Sequence, residues 1–372
     1  GGRDTLACQS SRTVSGSMES QRSGLLAKGL SSAAAETCMA ATSVSTRKNY
    51  AASWRDFCTW CERQDTDPNT ATVHIIINYL QYLLDTRHLS YYTIRSRVTA
   101  LAASHASFKW KKGHYSSLLK HPLIKDFLKG ALIKNPPVRN MVPQWDLPTV
   151  LCTLSNDPFE PLDKIDLKYL TMKTAFLLAI SSANRVHEIK ALDCRPQFCQ
   201  FTNSSVVLTT RPEFRPKVVK PDNMRRVLHF TPLPPDESTN DGYSHVCVYR
   251  CLKRYIHVTK SIRTGTTQLL VTFAKGREGK EASKATIANW IKMCIQEAYT
   301  RQKLPLPGII QAHSTRKQST SWADMKGVSI QDICKQACWA DDTTFTKHYK
   351  LKMDSSISSR HAQTVLMASW NV

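Results

Sequence analysis

The amino-acid sequence predicts a mainly α-helical protein with one small β-sheet, split into an all-helical domain and a larger mixed α+β domain. Three observations carry the prediction. Apolar residues recur at helical spacing over 41–134 and over most of 149–352. Strand-like runs, SSVVLTT and RRVLHF, cluster between Phe198 and Phe230, with one more at QLLVTF. The Pro-rich segment NPPVRNMVPQWDLP, 135–148, cannot continue a helix and reads as a linker between the domains. With 372 residues and 41% hydrophobic content the chain is long enough for two cores.

Residues 1–40 are rich in Ser, Ala and Gly with little apolar periodicity, so a disordered leader is expected there. Its first residues, GGRDTLACQSSR, hold neither an initiator Met nor a charged-then-apolar signal, which predicts a piece of a longer reading frame that is not secreted. Tyr50, Trp54, Phe57 and Cys61 line one face of a first helix, which Asp67-Pro68 stops. Val73, Ile76, Ile77, Leu80 and Leu84 define a second helix and Ile94, Val98 and Leu101 a third. Leu123, Phe127 and Leu128 mark a fourth, after His121-Pro122. Beyond the linker a long helix spans about 167–182, and helices follow the strands near 245–262, 284–299, 313–325 and 329–338. Residues 353–372 form a tail whose apolar patch, Val365 to Trp370, either packs in cis or docks on a neighbouring subunit.

Lys and Arg number 51 against 29 Asp and Glu, so 51 − 29 = +22, with a pI near 9.6. Such an excess makes a polyanion the expected partner, because each phosphate neutralised releases condensed counterions. A membrane is disfavoured: the longest apolar stretch, AFLLAI at 175–180, falls far short of the ~20 residues that span a bilayer. The excess is uneven, since residues 41–140 hold 15 basic and 6 acidic side chains, 15 − 6 = +9. From Arg87 to Arg139 the single acid is Asp126, whereas an ordinary solvated helix face would mix the signs. Arg47, Lys48, Arg95, Arg97, Lys109, Lys111 and Lys112 are the candidate DNA contacts on this surface. Of 12 cysteines, Cys58/Cys61 form the one CxxC and no second pair lies at zinc-site distance, so free thiols rather than a metal are expected.

Chemistry concentrates in the second domain. SSANRVHEIKALD, 181–193, puts Arg185 and Glu188 three apart on one helix face, where the carboxylate can hold the guanidinium. QAHSTRKQST gives His313 and Arg316 the same spacing at a helix start, where free N–H groups and the dipole favour an anion. Either pair alone is an ordinary surface pattern. In order, however, Arg185 with Glu188, a lysine in a hairpin, His313-x-x-Arg316, Trp339 and Tyr349 resemble the tyrosine recombinase (phage integrase) family. The segments HPLIKDFLKGALIKNPP, VPQWDLPTVL, LKYLTMKTAFLLAISSANRVHEIKAL and CWADDTTFTKHY are most similar in style to the recombinases of DIRS-type retrotransposons.

The resemblance covers about 41–352 and implies a helical, SAM-like core-binding domain over 41–134 followed by a catalytic domain over 149–352. It implies a site-specific recombinase that cuts and rejoins double-stranded DNA through a 3′-phosphotyrosine, as a tetramer on two sites, with no cofactor and no metal. Tyr349 would be the nucleophile, Arg185 and Arg316 the grip on the non-bridging oxygens, and His313 the acceptor of the phenolic proton. Trp339, where most members have His, would donate its indole N–H to the phosphate. A hairpin lysine would protonate the leaving 5′ oxygen. PEFRPKVVK offers Lys217 and Lys220, and the match to the related elements favours Lys217. The gap from Trp339 to Tyr349 is one longer than the family's usual nine, a trait of DIRS-type members, and His187 and Lys190 depart from the residues more often found there. His348, beside the tyrosine, is set aside as the base because neighbouring helical residues point about 100° apart. A DNA substrate and the resemblance to eukaryotic elements together imply a nuclear location. The competing readings are a DNA-binding descendant without catalysis, decayed or host-adopted, and a type IB topoisomerase.

Overall fold

A computed structural model describes residues 22, 25–27, 29–104, 118–137, 142–217, 224–235, 242–339 and 341–351. The chain divides into two compact units, 1–139 and 140–372. It is mainly helical with one three-stranded antiparallel sheet.

The first unit contains α1 (Ser32–Ala40), α2 (Val44–Arg63), α3 (Val73–Asp85), α4 (Tyr91–Ser104), a 3₁₀ turn (Leu118–Lys120) and α5 (Pro122–Lys134). Ser43 caps α2 by accepting the Thr46 N–H at 3.1 Å, and Pro122 opens α5 where a missing N–H costs nothing. Phe57, Ile76, Leu80, Leu83, Ile94, Val98 and Leu101 bury the apolar stripes of α2, α3 and α4 against one another. Two details differ from the sequence prediction. Residues 32–40 are helical rather than part of a leader, since Ser31 caps an alanine-rich run whose helix propensity outweighs its low hydrophobicity. In α5 the buried face is Ile124, Leu128 and Ala131, at i, i+4, i+7, and Leu123 is exposed.

The second unit is built around α7 (Leu167–Ser182), buried on all sides. It packs against α9 (Val248–Thr259), α10 (Lys284–Arg301) and α11 (Ser314–Met325), while α6 (Leu147–Leu154) lies on α10. Lys173, buried in this core, is satisfied by the carbonyls of Leu154 and Phe159 and by Glu160, which Arg250 also holds. Without those partners the charge could not stay in the core. Strands β1 (Cys199–Phe201), β2 (Val206–Thr209) and β3 (Val227–Phe230) form a meander whose register pairs Leu208 with Cys199 and Leu228. QLLVTF forms only isolated bridges, Asp193 to Gln268 and Val271 to Glu281, instead of a strand. The C-terminal half of the Pro-rich segment is not a bare linker: Trp145 is buried and donates its indole N–H to Ser314 Oγ at 2.7 Å. Three short helices complete the unit, α8 (Val186–Lys190), α12 (Ile330–Ala337) and α13 (Asp342–His348). No described helix is long and apolar enough to cross a membrane.

Gly279 shows how tightly this unit closes. It adopts φ +70°, and a Cβ there would lie 1.6 Å from the backbone oxygen of Ile262. Gly279→Ala is expected to lower the unfolding free energy by about 3 kcal/mol, left-handed strain plus a backbone clash. Gly265, at φ +62° in open space, is the control. Its alanine variant should cost about 1 kcal/mol in the same urea titration.

Candidate active site

Two left-handed residues set up the site. Ala183, φ 53° and ψ 22°, ends α7 and turns the chain into α8, and Cys338, φ 49° and ψ 51°, ends α12 and releases the chain to Trp339. At the first turn Arg185 caps α8. Its backbone N–H donates to Glu188 Oε2 at 2.7 Å and its Nη1 to Glu188 Oε1 at 3.1 Å. Glu188 is buried and the Arg185 side chain 22% exposed, so a fixed carboxylate aims a partly open guanidinium.

Arg316, in the first turn of α11, is only 1% exposed. Nη1 donates to the Ala183 carbonyl at 2.7 Å and lies 3.8 Å from Glu188 Oε2, and Nη2 donates to the Ala337 carbonyl. One guanidinium thus ties the end of α7 to the end of α12, where helix carbonyls carry partial negative charge. Burial and the Arg185 charge lower the Arg316 pKa to about 10, against the pull of Glu188, which leaves it cationic at neutral pH. Its Nε is buried with no partner among the described residues.

Aromatic rings close over this guanidinium. Its carbon lies 4.8 Å from the Trp339 ring centre and 5.5 Å from that of Tyr349, and the two rings are 4.5 Å apart. Trp339 Nε1 is buried without a partner among the described residues. Tyr349 is not inside a helix. It is the C-cap of α13, its N–H bonded to Phe345 O at 2.9 Å and its carbonyl accepting from Ser321 Oγ of α11 at 3.2 Å.

Arg185, Lys217, His313, Lys317, Trp339 and Tyr349, with Cys338, Thr344 and His348, line one groove of about 460 Å³. No carboxylate is among them, so the groove concentrates positive charge. Of the sequence-predicted residues, five line this groove, and Arg316 and Glu188 lie buried against them. Lys217 is exposed, in the segment joining β2 and β3, and Lys220 lies outside the described residues. Lys317 was missed, although its i, i+4 spacing from His313 signals a shared helix face. His348 lines the groove beside Tyr349, because the chain leaves helical geometry at Tyr349 and the 100° separation of neighbouring helical residues does not apply there.

His313 opens to solvent on one side. The protein packed on its other side, and then the Lys317 ammonium, push its pKa below the ordinary histidine value. It is therefore the neutral form, able to accept a proton, that prevails at pH 7. His187 packs on Phe214, ring centres 5.7 Å apart, and its pKa is likewise lowered, first by burial and then by Arg185, Lys284 and Lys217 against Glu188.

The candidate DNA contacts of the first unit divide. Lys48 and Arg95 are exposed and Arg47 is half-buried, with Nη1 donating to the Met39 carbonyl at 3.5 Å. Arg97 is turned to Asp56 at 3.5 Å, which also binds Arg87 at 2.7 Å. Lys109, Lys111 and Lys112 lie outside the described residues, as does the tail from 353. Among the described residues no three His, Cys, Asp or Glu side chains stand together as metal ligands.

No protein-family model and no curated protein matches the chain. Solved structures do. XerH site-specific recombinase bound to a palindromic difH substrate aligns with TM-score 0.56 at 12% identity, over 86% of this chain and 78% of that one. The Tn1549 transposon integrase in complex with transposon right-end DNA aligns with TM-score 0.54 at 13% identity, over 87% and 92%. A lambda integrase dimer bound to a core site aligns with TM-score 0.51 at 12% identity, over 92% and 78%. The chain has the fold of these recombinases and integrases.

Proposed function

We propose that the protein is a site-specific DNA recombinase of the tyrosine type, serving integration of a DIRS-type retrotransposon. The observation that carries this reading is the convergence of Arg185, Lys217, His313, Trp339 and Tyr349 on one cationic groove with Arg316 beneath its aromatic wall. The groove suits a phosphodiester. Tyr349 Oη attacks phosphorus while its proton passes to His313, whose neutral imidazole can take it. Arg185 and Arg316 stabilise the charge that gathers on the non-bridging oxygens, and the unpaired Trp339 N–H donates to the same group. Lys217 gives a proton to the 5′ oxygen as its bond to phosphorus breaks. One phosphodiester becomes one phosphotyrosyl ester, so bond energy is conserved and religation can follow on a partner strand. Double-stranded DNA is the partner, a tetramer on two sites the working assembly, and the nucleus the site of action.

The test is a nicked suicide duplex carrying the element's terminal repeats, incubated with purified protein. A covalent protein–DNA adduct is the expected product. Binding without an adduct would favour a DNA-binding descendant, and relaxation of a supercoiled plasmid without a defined site would favour a topoisomerase.

The pH dependence of adduct formation checks the base. The active form of His313 is deprotonated and its pKa is lowered, so the rate should hold down past the ordinary histidine value near 6.5 and fall only below it. An acid limb centred above 6.5 would assign the proton to another group.

A further inference from the structure

Arg226, just before β3, is 7% exposed and does not line the groove. Its backbone belongs to the hairpin: the Arg226 N–H donates to Thr210 Oγ1 at 3.0 Å, and the Thr210 N–H to the Arg226 carbonyl at 3.0 Å. Its side chain leaves the hairpin altogether. Nε donates to Asn184 Oδ1 at 3.2 Å, with Nη2 on the same oxygen and on the Gln336 carbonyl at 2.6 Å, while Nη1 contacts Cys338 Sγ. Asn184, 2% exposed, immediately precedes Arg185, and Cys338 immediately precedes Trp339.

We infer that Arg226 is a positioning residue that staples the β2–β3 hairpin, and so the Lys217 it carries, to the Arg185 turn and the Trp339 segment. The hairpin has other ties, the Arg211 N–H to the Ala191 carbonyl at 2.9 Å and Phe214 on His187, but these run to α8 and its end, whereas Arg226 carries it to Asn184 and to the end of α12. The Arg185 turn and the end of α12 stay joined without Arg226, because Arg316 bridges the Ala183 and Ala337 carbonyls and Glu188 holds Arg185. Loss of Arg226 therefore unhooks the hairpin that carries Lys217 from the Trp339 segment, and lets Lys217 drift, while leaving the arginine grip and the tyrosine in place. A planar fork suits this job, since it reaches three acceptors on two pieces of chain at once, Asn184 and the end of α12.

The inference rests on the proposed cleavage reaction and predicts a defect confined to proton donation. Two suicide duplexes distinguish it, one with the normal 5′ oxygen at the scissile bond and one with sulfur in its place. When sulfur leaves as a thiolate, the Tyr349–phosphorus bond forms and the phosphorus–sulfur bond breaks with no proton required. Arg226→Met should slow adduct formation on the oxygen substrate about 100-fold, the scale of a lost general acid. It should cut the sulfur substrate at close to the wild-type rate and bind DNA as before, a pattern that Lys217→Ala should share. Equal slowing on both substrates, or wild-type rates on both, overturns the role. If Arg226→Met does not fold, Arg226→Lys, which keeps the charge but not the fork, should show the same preference for sulfur at smaller size, and equal slowing there is again decisive. No adduct from wild-type protein on either substrate would sink the cleavage reaction itself, and this role with it.

Discussion

Tyr349→Phe is expected to abolish the covalent adduct, a fall on the order of 10⁴-fold or more, while leaving DNA affinity and thermal stability unchanged. The contrast follows from how the ring is held. Its packing against Trp339 and its cation–π contact with Arg316 belong to the ring, and its backbone bonds to Phe345 and Ser321 belong to the chain. Phenylalanine keeps all of these and removes only Oη. Denaturing gels of the suicide reaction give the adduct and gel shifts give the binding. An adduct that persists in the variant would place the nucleophile elsewhere.

The second large effect is expected at Arg316. Arg316→Lys preserves charge but cannot reach the Ala183 and Ala337 carbonyls together while presenting a further donor. Adduct formation should fall by about 10²–10³-fold, the cost of one lost transition-state donor. Because a buried carbonyl is also left unpaired, stability should drop by about 1–3 kcal/mol. Arg185→Lys is the informative comparison. That side chain is partly exposed and, among the described residues, pairs with Glu188 alone, so a similar rate loss should come with little change in melting temperature. If Arg316→Lys melted like the wild type, the bridge between α7 and α12 would not bear weight.

Much of this was legible in the sequence because it follows local rules. The limits of α7 could be read from its apolar run, and the convergence of Arg185 and Glu188 from a spacing of three. The buried alternation in β2 and the stripes of α2, α3 and α4 are periodic signals of the same kind. What could not be read depends on contacts distant in sequence. QLLVTF has strand composition but finds only single bridges, and Trp145 sits in a Pro-rich stretch yet is drawn in by Ser314, 169 residues later. Arg226 is one of two adjacent arginines in NMRR, and nothing local tells which turns inward. His348 and Tyr349 share a groove only because the helix stops between them, at a C-cap no composition marks.

Ala183 and Cys338 have a consequence for how an inactive form of the proposed recombinase would be recognised. Each holds a left-handed conformation that costs a non-glycine residue roughly 1–2 kcal/mol, and the carbonyls around both bends are gripped by Arg316 and Arg226. Folding alone would thus retain Arg316, whatever its part in the proposed chemistry. A descendant that only bound DNA could not discard it without loosening the ends of α7 and α12, so its persistence says little about activity. Among the described residues the phenolic oxygen of Tyr349 and the amine of Lys217 hold nothing up. Those are the groups that drift would erase first, and their survival in a chain is the better sign that it still cuts DNA.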